Sequence, residues 1–308
     1  MLSKKQTIYL MLLANMILWG SSFVTSKIAI NSVQAPVSAS IRFGLSAIIC
    51  GLFLIIQTKH PRKVSKKNLG KLFLMGICGI SIYNWLFFVG LSHTQASDGA
   101  VIIPAMSPVL TACLAYFLLK QRQPISQILG LVLALSGAAI FFFSTASGSL
   151  DQARLWGDLM FIGSSASWAV YTMIGRTVFE EVHPLVATSY ALIFGGILLV
   201  LVALPQYSQV SWEQVDTSFW IVQLYTAIFP TVLANFFFSY GVKSIGPTST
   251  AMFMFFVPIS GLGLSIIWLH ESLNQLQLVG SVVIILGIWL MNKKVATAKD
   301  PKPRVRTN

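Results

Sequence analysis

The chain has 308 residues, of which 55% are hydrophobic and only 10% are charged, and its mean hydropathy is +0.75. A soluble domain has roughly a quarter charged residues, so this composition excludes a soluble globular protein. The net charge is +12, but the basic residues lie in short stretches between apolar runs. That pattern is typical of topology control in a membrane and argues against nucleic-acid binding. The sequence therefore predicts an all-α integral membrane protein surrounded by a lipid bilayer.

Ten apolar runs separated by polar or turn residues predict ten transmembrane helices. They cover residues 6–27, 34–57, 69–91, 97–119, 124–144, 154–175, 184–204, 216–241, 246–269 and 275–292. Runs such as 131–143 are apolar on every side, which favours helices over the alternating strands of a membrane barrel. The first run follows Lys4 and Lys5 as in a signal peptide, but it continues through Trp19 and is interpreted as a true helix.

The basic residues are divided unequally between the two sets of loops. Eighteen of the 21 lysines and arginines fall at the termini and in one set of loops, whereas the other set contains Arg154 alone. Because loops rich in Lys and Arg remain in the cytoplasm, we expect both termini to be cytoplasmic. The predicted location is a bacterial cytoplasmic membrane, with residues 293–308 forming a basic cytoplasmic tail.

The two halves of the chain are similar to each other at a shift of 148 to 151 residues. The matched pairs are Trp19 with Trp168, Pro36 with Pro184, Asn84 with Asn235, Pro108 with Pro258, Gly130 with Gly280 and Gly137 with Gly287. Each half has five predicted spans, and an odd number inserts the second half upside down. Many secondary transporters are built from such inverted repeats. The pattern predicts five-helix repeats at residues 6–145 and 154–292 and favours a carrier of a small-molecule solute.

Several polar and aromatic side chains inside the spans are candidates for binding that solute. Arg42 lies about 12 Å along the second span at 1.5 Å per residue, where a charge is costly and has a functional or a paired structural role. Its planar guanidinium could hold a carboxylate or a phosphate. Asn84 and Asn235 either bind solute or join helices. The aromatic candidates for stacking on the solute are Tyr83, Trp85, Trp168 and Tyr171. The tryptophans near span ends, Trp19, Trp156, Trp212 and Trp289, are interpreted as an interfacial belt.

The prolines and acidic residues of the spans suggest helix kinks and coupling. Prolines inside predicted spans free a backbone carbonyl and are expected to kink the helices; they are Pro104, Pro108, Pro230 and Pro258. Asp158 and Glu271 are candidates for proton coupling, although Asp158 also suits helix capping. No phosphate-binding loop occurs, so the chain alone does not use ATP, and the sequence indicates no cofactor, metal site or ATPase subunit.

At this stage the sequence resembles the drug/metabolite transporter superfamily, specifically its tandem EamA-domain permeases with ten helices. The resemblance covers about residues 6–292 and rests on short motifs. They are Trp19-Gly20, Arg42-Phe43, Gly90-Leu91 with Thr94 to Ala96 and Pro108, Gly241 with Gly246 and Pro258, Asp158, and His270-Glu271. It implies two five-helix repeats around a central cavity, and transport, often export, of amino acids or other small metabolites. Family members often have Glu after the fourth span, where this chain has Gln121.

Other functional classes fit the sequence less well. An intramembrane enzyme would contain a compact nucleophile or metal motif, and none appears. A channel would contain a filter segment or rings of charge. A lipid or lipid-linked carrier and a drug-efflux permease of the same fold remain as alternatives to a metabolite exporter.

Overall fold

The computed structural model describes residues 3–57, 64–120, 125–146 and 152–292. The predicted tail 293–308 and Gln121 lie outside the described residues. Within them the fold is helical, with no strand. The helices are α1 Lys4–Ser32, α2 Ala35–Ile56, α3 Lys66–His93, α4 Ala96–Leu119, α5 Ile125–Ala146, α6 Gln152–Val178, α7 Pro184–Ala203, α8 Thr217–Ile245, α9 Pro247–Leu269 and α10 Gln275–Asn292.

Seven of these helices are long and apolar enough to cross a membrane, namely α1, α2, α3, α4, α7, α8 and α9. Helices α5 and α10 contain shorter apolar stretches, Ile128–Phe141 and Gln275–Gly287, and α6 is long but more polar. Large apolar side chains such as Ile56 and Phe117 are more than two-thirds exposed on the outside. The structure is therefore that of a multi-pass membrane protein, while ten crossings remain a prediction.

Helices α3 and α8 share an unusual local geometry. Each changes from α-helix to π-helix near its middle, at Gly76–Ile82 in α3 and at Ala227–Leu233 in α8. Single π turns inside α-helices occur frequently at functional sites. The two segments are 151 residues apart, which is within the range of shifts that relates the two halves of the sequence.

The ends of two helices are related by a similar shift along the chain. Helices α4 and α9 both end at a residue in the left-handed conformation, Lys120 with φ 51° and His270 with φ 53°. These are the only described residues other than glycine with positive φ. They are 150 residues apart, so the two halves are similar in backbone conformation as well as in sequence.

Helices α5 and α10 pack on each other through glycines. A Cβ atom at Gly137 would lie 2.7 Å from the carbonyl oxygen of Gly280, and one at Gly287 would lie 2.7 Å from that of Gly130. Small residues allow helix backbones to approach this closely in a membrane. The glycines that correspond between the two halves are thus in contact with each other crosswise.

Candidate functional site

A cavity with an empty volume of about 580 Å³ lies among the helices. This volume includes space that is open to the surroundings, and the lining is mostly apolar with a few polar groups, as in small-molecule sites. The lining side chains come from α1, α2, α3, α4, α6, α8 and α9. They are Trp19, Ser22, Phe23, Arg42, Phe43, Gly79, Ile80, Tyr83, Asn84, Phe87, Ile103, Pro104, Trp168, Pro230, Asn235, Met254 and Val257.

Arg42 is the charged side chain of this lining. It is only 6% exposed, and its guanidinium donates to two neutral hydroxyl groups. Nε donates to Thr231 Oγ1 at 2.7 Å and Nη1 to Ser26 Oγ at 3.0 Å. Thr231 belongs to the π segment of α8, so the segment positions a partner of the arginine. Among the described residues no carboxylate forms an ion pair with Arg42. The cavity therefore has a positive charge without a counter-ion from the described part of the chain.

The two predicted asparagines both line the cavity. Asn84 Nδ2 donates to the carbonyl of Ile80 at 2.8 Å, and Asn235 Nδ2 donates to that of Thr231 at 2.7 Å. In both cases the accepting carbonyl belongs to the π segment that precedes the asparagine. Asn235 Oδ1 is buried and has no hydrogen-bond partner in the described part of the chain. It is an acceptor that a donor group of a solute would satisfy.

Trp168 lies at the centre of the aromatic side of the cavity. Its ring is 5.2 Å from those of Trp19 and Tyr83, 4.8 Å from Tyr171 and 5.1 Å from Phe238, measured between centroids. These contacts fix the indole, and its buried Nε1 has no acceptor among the described residues. Buried indole N–H groups normally have a partner, so this donor is available to a bound molecule.

The structure corrects the interpretation of Trp19. It does not belong to the interfacial belt, because its ring lines the cavity and its Nε1 donates to the carbonyl of Pro230 at 3.1 Å. Its correspondence with Trp168 across the two halves was the signal for this position. Trp156 and Trp212 are 55% and 39% exposed, as a belt requires, and the side chain of Trp289 lies outside the described part of the structure.

Two of the predicted aromatic residues lie outside the lining. Trp85 is 45% exposed and borders a separate small apolar groove with Pro36 and Phe88. It follows Asn84 by one position, and consecutive helical residues face different directions. Tyr171 is buried behind Trp168, where its hydroxyl lies 3.4 Å from Ser239 Oγ. Tyr171 supports the site from outside, whereas Trp85 does not contribute to the cavity.

The four prolines that were expected to kink helices lie in different backbone conformations. Pro230 lies in the π segment of α8, and Pro258 follows a 3-10 segment at Met252–Phe256 in α9. Both therefore coincide with a departure from α-helical geometry. Pro104 and Pro108 lie inside an α-helix that continues from Ala96 to Leu119. Pro104 and Pro230 both line the cavity.

The two predicted coupling residues lie in a cluster of charges away from the cavity, where α4 and α6 begin. We call Lys27, Asp98, Arg154, Asp158 and Glu271 the Arg154 cluster. Arg154 binds both carboxylate oxygens of Asp98 at 2.8 Å. Glu271, which follows α9, accepts from the backbone N–H groups of Ala96 and Ser97 at 2.9 and 3.0 Å. Within the described residues no group of three or more His, Cys, Asp or Glu side chains could hold a metal ion.

A bundle of apolar helices around a buried, partly polar cavity is the arrangement of a membrane transporter. A family model described as the EamA-like transporter family matches residues 6–143 and 155–293. The chain belongs to this family, which is a family of transporters and not of enzymes. Its environment is accordingly a membrane and its partner a small-molecule solute.

Individual relatives agree with this assignment. The chain is 31% identical over 289 residues to the uncharacterized transporter YyaM of Bacillus subtilis, covering 92% of this chain and 93% of that protein. It is 24% identical to a WAT1-related chloroplast protein of Arabidopsis thaliana, covering 89% of this chain and 66% of that protein. One solved structure superposes with a TM-score of 0.71 over 96% of this chain and 99% of its own, at 16% identity. That likeness shows the fold alone.

Proposed function

We propose that this protein exports small organic solutes that carry a carboxylate, such as amino acids, across the bacterial cytoplasmic membrane by alternating access. The observation that carries the proposal is Arg42, a buried cation that lines the cavity and whose hydrogen bonds to described side chains go to hydroxyl groups and not to a carboxylate. A buried charge without a counter-ion is costly, and a carboxylate that binds a guanidinium through two parallel hydrogen bonds relieves that cost.

The rest of the lining suits an amino acid. Asn235 Oδ1 is an unsatisfied acceptor for an ammonium group, and Trp168 Nε1 is an unsatisfied donor for a second carboxylate or carbonyl oxygen. The apolar side chains Phe87, Ile103, Met254 and Val257 provide a surface for the body of the solute. A phosphate-bearing solute would use Arg42 equally well, but the single cation favours a singly charged group.

The transport mechanism rests on the repeat. We propose that residues 6–145 and 154–292 are two five-helix units of opposite orientation, giving ten crossings with both termini in the cytoplasm. The paired π segments, the paired left-handed helix ends and the crosswise glycine contacts of α5 and α10 support this arrangement. Two inverted units can exchange conformations, which opens a central site first to one side and then to the other.

The test is counterflow into liposomes that contain the purified protein and a high internal concentration of unlabelled solute. A panel of radiolabelled amino acids is compared with amines of the same side chains that lack the carboxylate. We expect accumulation of one class of amino acids and none of the amines. Accumulation of amines alone would overturn the proposal and favour a drug-efflux permease. Transfer of labelled phospholipid between leaflets, without counterflow, would favour the lipid carrier.

A further inference from the structure

The Arg154 cluster contains one carboxyl group that accepts no hydrogen bond from the described residues. Asp158 is 0% exposed, and neither of its carboxyl oxygens has a hydrogen-bond partner among the described residues. Arg154, one turn earlier on α6, makes its described hydrogen bonds to Asp98 and to Gln95 Oε1 instead. Asp98 and Arg154 are the charged groups that interact electrostatically with Asp158.

An isolated carboxylate buried in this way would cost several kcal/mol. The neutral acid avoids this cost, so Asp158 holds a proton in the arrangement that the structure shows. Glu271 differs, because two backbone N–H groups at the start of α4 bind both of its oxygens. The two predicted coupling residues therefore differ in role. Glu271 caps a helix, whereas Asp158 is the residue that can bind a proton.

The surroundings of Asp158 join several helices at one end of the bundle. Lys27 of α1 donates to the carbonyls of Leu91 and Thr94 at 2.8 and 2.6 Å, which terminates α3 with a positive charge. Arg154 of α6 binds Asp98 of α4, and Glu271 binds the start of α4 from the segment between α9 and α10. An opening of this end would separate these segments, break the Asp98–Arg154 pair and admit water to Asp158.

The opposite end of the bundle lacks these acids. At the shifts that relate the two halves, Asp158 corresponds to Tyr9, Asp98 to Thr248 and Glu271 to Gln121. Asp158 therefore has no acidic counterpart at the corresponding position of the other repeat. The positive-inside pattern assigns the end that contains Asp158 to the outer face of the membrane.

We propose that Asp158 is a proton-binding site linked to closure of the outer end of the transporter. This inference rests on the topology in the proposed function. In the closed state Asp158 is neutral and buried; in the open state it is hydrated and releases its proton to the outer solution, because a carboxyl group in water is ionised at neutral pH. The closed state binds one more proton, so raising the external pH favours the open state. Full coupling of one proton gives up to about a tenfold change in the ratio of open to closed protein per pH unit.

The test measures distances across the outer end with spin labels at Gln152 and Ser272, both exposed. The full-length protein is held in lipid nanodiscs, with Cys50, Cys78 and Cys113 replaced by alanine so that only the two labels react. Between about pH 5 and pH 8 we expect the longer-distance population of the wild type to grow relative to the shorter one, as linkage requires. The Asp158→Asn variant, a neutral mimic, should remain closed throughout. Arg154→Gln should raise the open population at every pH.

His93 is the control, because it ends α3 and packs beside Gly157, the residue before Asp158. Because the proposal assigns the response to Asp158, His93→Gln must keep the pH response of the wild type. A response that survives in Asp158→Asn, disappears in His93→Gln or is absent from the wild type would overturn the inference. Counterflow tests the proposed function separately: normal counterflow without a pH response would remove only the proton site. A pH response without counterflow of any solute would remove only the solute assignment.

Discussion

Replacing Arg42 with methionine tests whether the buried charge stabilises the folded protein or binds the solute. The substitution removes a guanidinium that carries an effective burial penalty of several kcal/mol. It also removes two charge-assisted hydrogen bonds, to Thr231 and Ser26, worth about 1.5–3 kcal/mol each. These contributions nearly cancel, so we expect the unfolding free energy without solute to change by no more than about 2 kcal/mol. An arginine held by a protein carboxylate would behave differently, because breaking a buried ion pair costs about 3–5 kcal/mol.

The effect on solute binding should be large. A solute at about 100 times its Kd stabilises the wild type by about 2.7 kcal/mol, and we expect this stabilisation to disappear in Arg42→Met together with counterflow. In Arg42→Lys the charge remains but the two parallel hydrogen bonds do not. We expect a loss of about 2 kcal/mol, or roughly 30-fold in Kd.

The assay is thermal unfolding of purified protein with and without solute, combined with counterflow. Arg176→Met is the matched control, since Arg176 lies at the end of α6 and forms a surface pair with Glu180 at 3.6 Å, a kind of pair that contributes little. It should keep the stabilisation by solute. If Arg42→Met lost more than about 4 kcal/mol in the absence of solute, or kept the stabilisation by solute, the arginine would have a structural role and the reasoning would fail.

Three further substitutions test other parts of the structure. Trp168→Phe removes the unsatisfied indole N–H together with part of a packed ring. Thermal stability without solute should therefore fall by about 1–2 kcal/mol, and the Kd from solute titration should rise by about tenfold, the equivalent of one hydrogen bond. Gly137→Leu places a side chain against the backbone of Gly280 and should lower thermal stability by the 1–3 kcal/mol that is typical of overpacking; an unchanged stability would argue against the close contact of α5 and α10. Glu271→Gln weakens the charge-assisted cap of α4 and should lower stability by about 1 kcal/mol in denaturant unfolding while keeping the pH response of the outer end.

Composition and the apolar runs were enough to predict the membrane class and the helical fold, whereas the family was predicted from a resemblance carried by short motifs such as Trp19-Gly20. The predicted spans lie close to the observed helices because apolar runs of the length of a bilayer leave few alternatives. The sequence could not predict the π segments before Asn84 and Asn235, since a π turn depends on how neighbouring helices fill the space and not on local propensity.

For the lining of the cavity, depth along a span was an informative signal and proximity to a span end was not. Arg42, Asn84 and Asn235 were predicted from polar character inside apolar runs, and all three line the cavity. Trp85 was included because it neighbours Asn84, but its helical phase directs it outward. Trp19 was assigned to the belt from its position near a span end, although its correspondence with Trp168 pointed inward, and the structure places the two rings 5.2 Å apart at the cavity.

Positions that match between the two halves differ in chemical character from positions that do not. The features that match belong to the helical framework, by which we mean the glycines of α5 and α10, the asparagines after the π segments and the left-handed helix ends. Arg42 and Asp158 have no charged counterpart, since Arg42 corresponds to Tyr190 and Asp158 to Tyr9. A symmetric helical framework gives the open-inward and open-outward states similar energies, which alternating access needs. Any preference for one side must then come from the unmatched residues. Arg42 occurs in one repeat and Asp158 at one end. Solute binding and closure can therefore favour one direction of transport, although the packing of the helices does not favour either state.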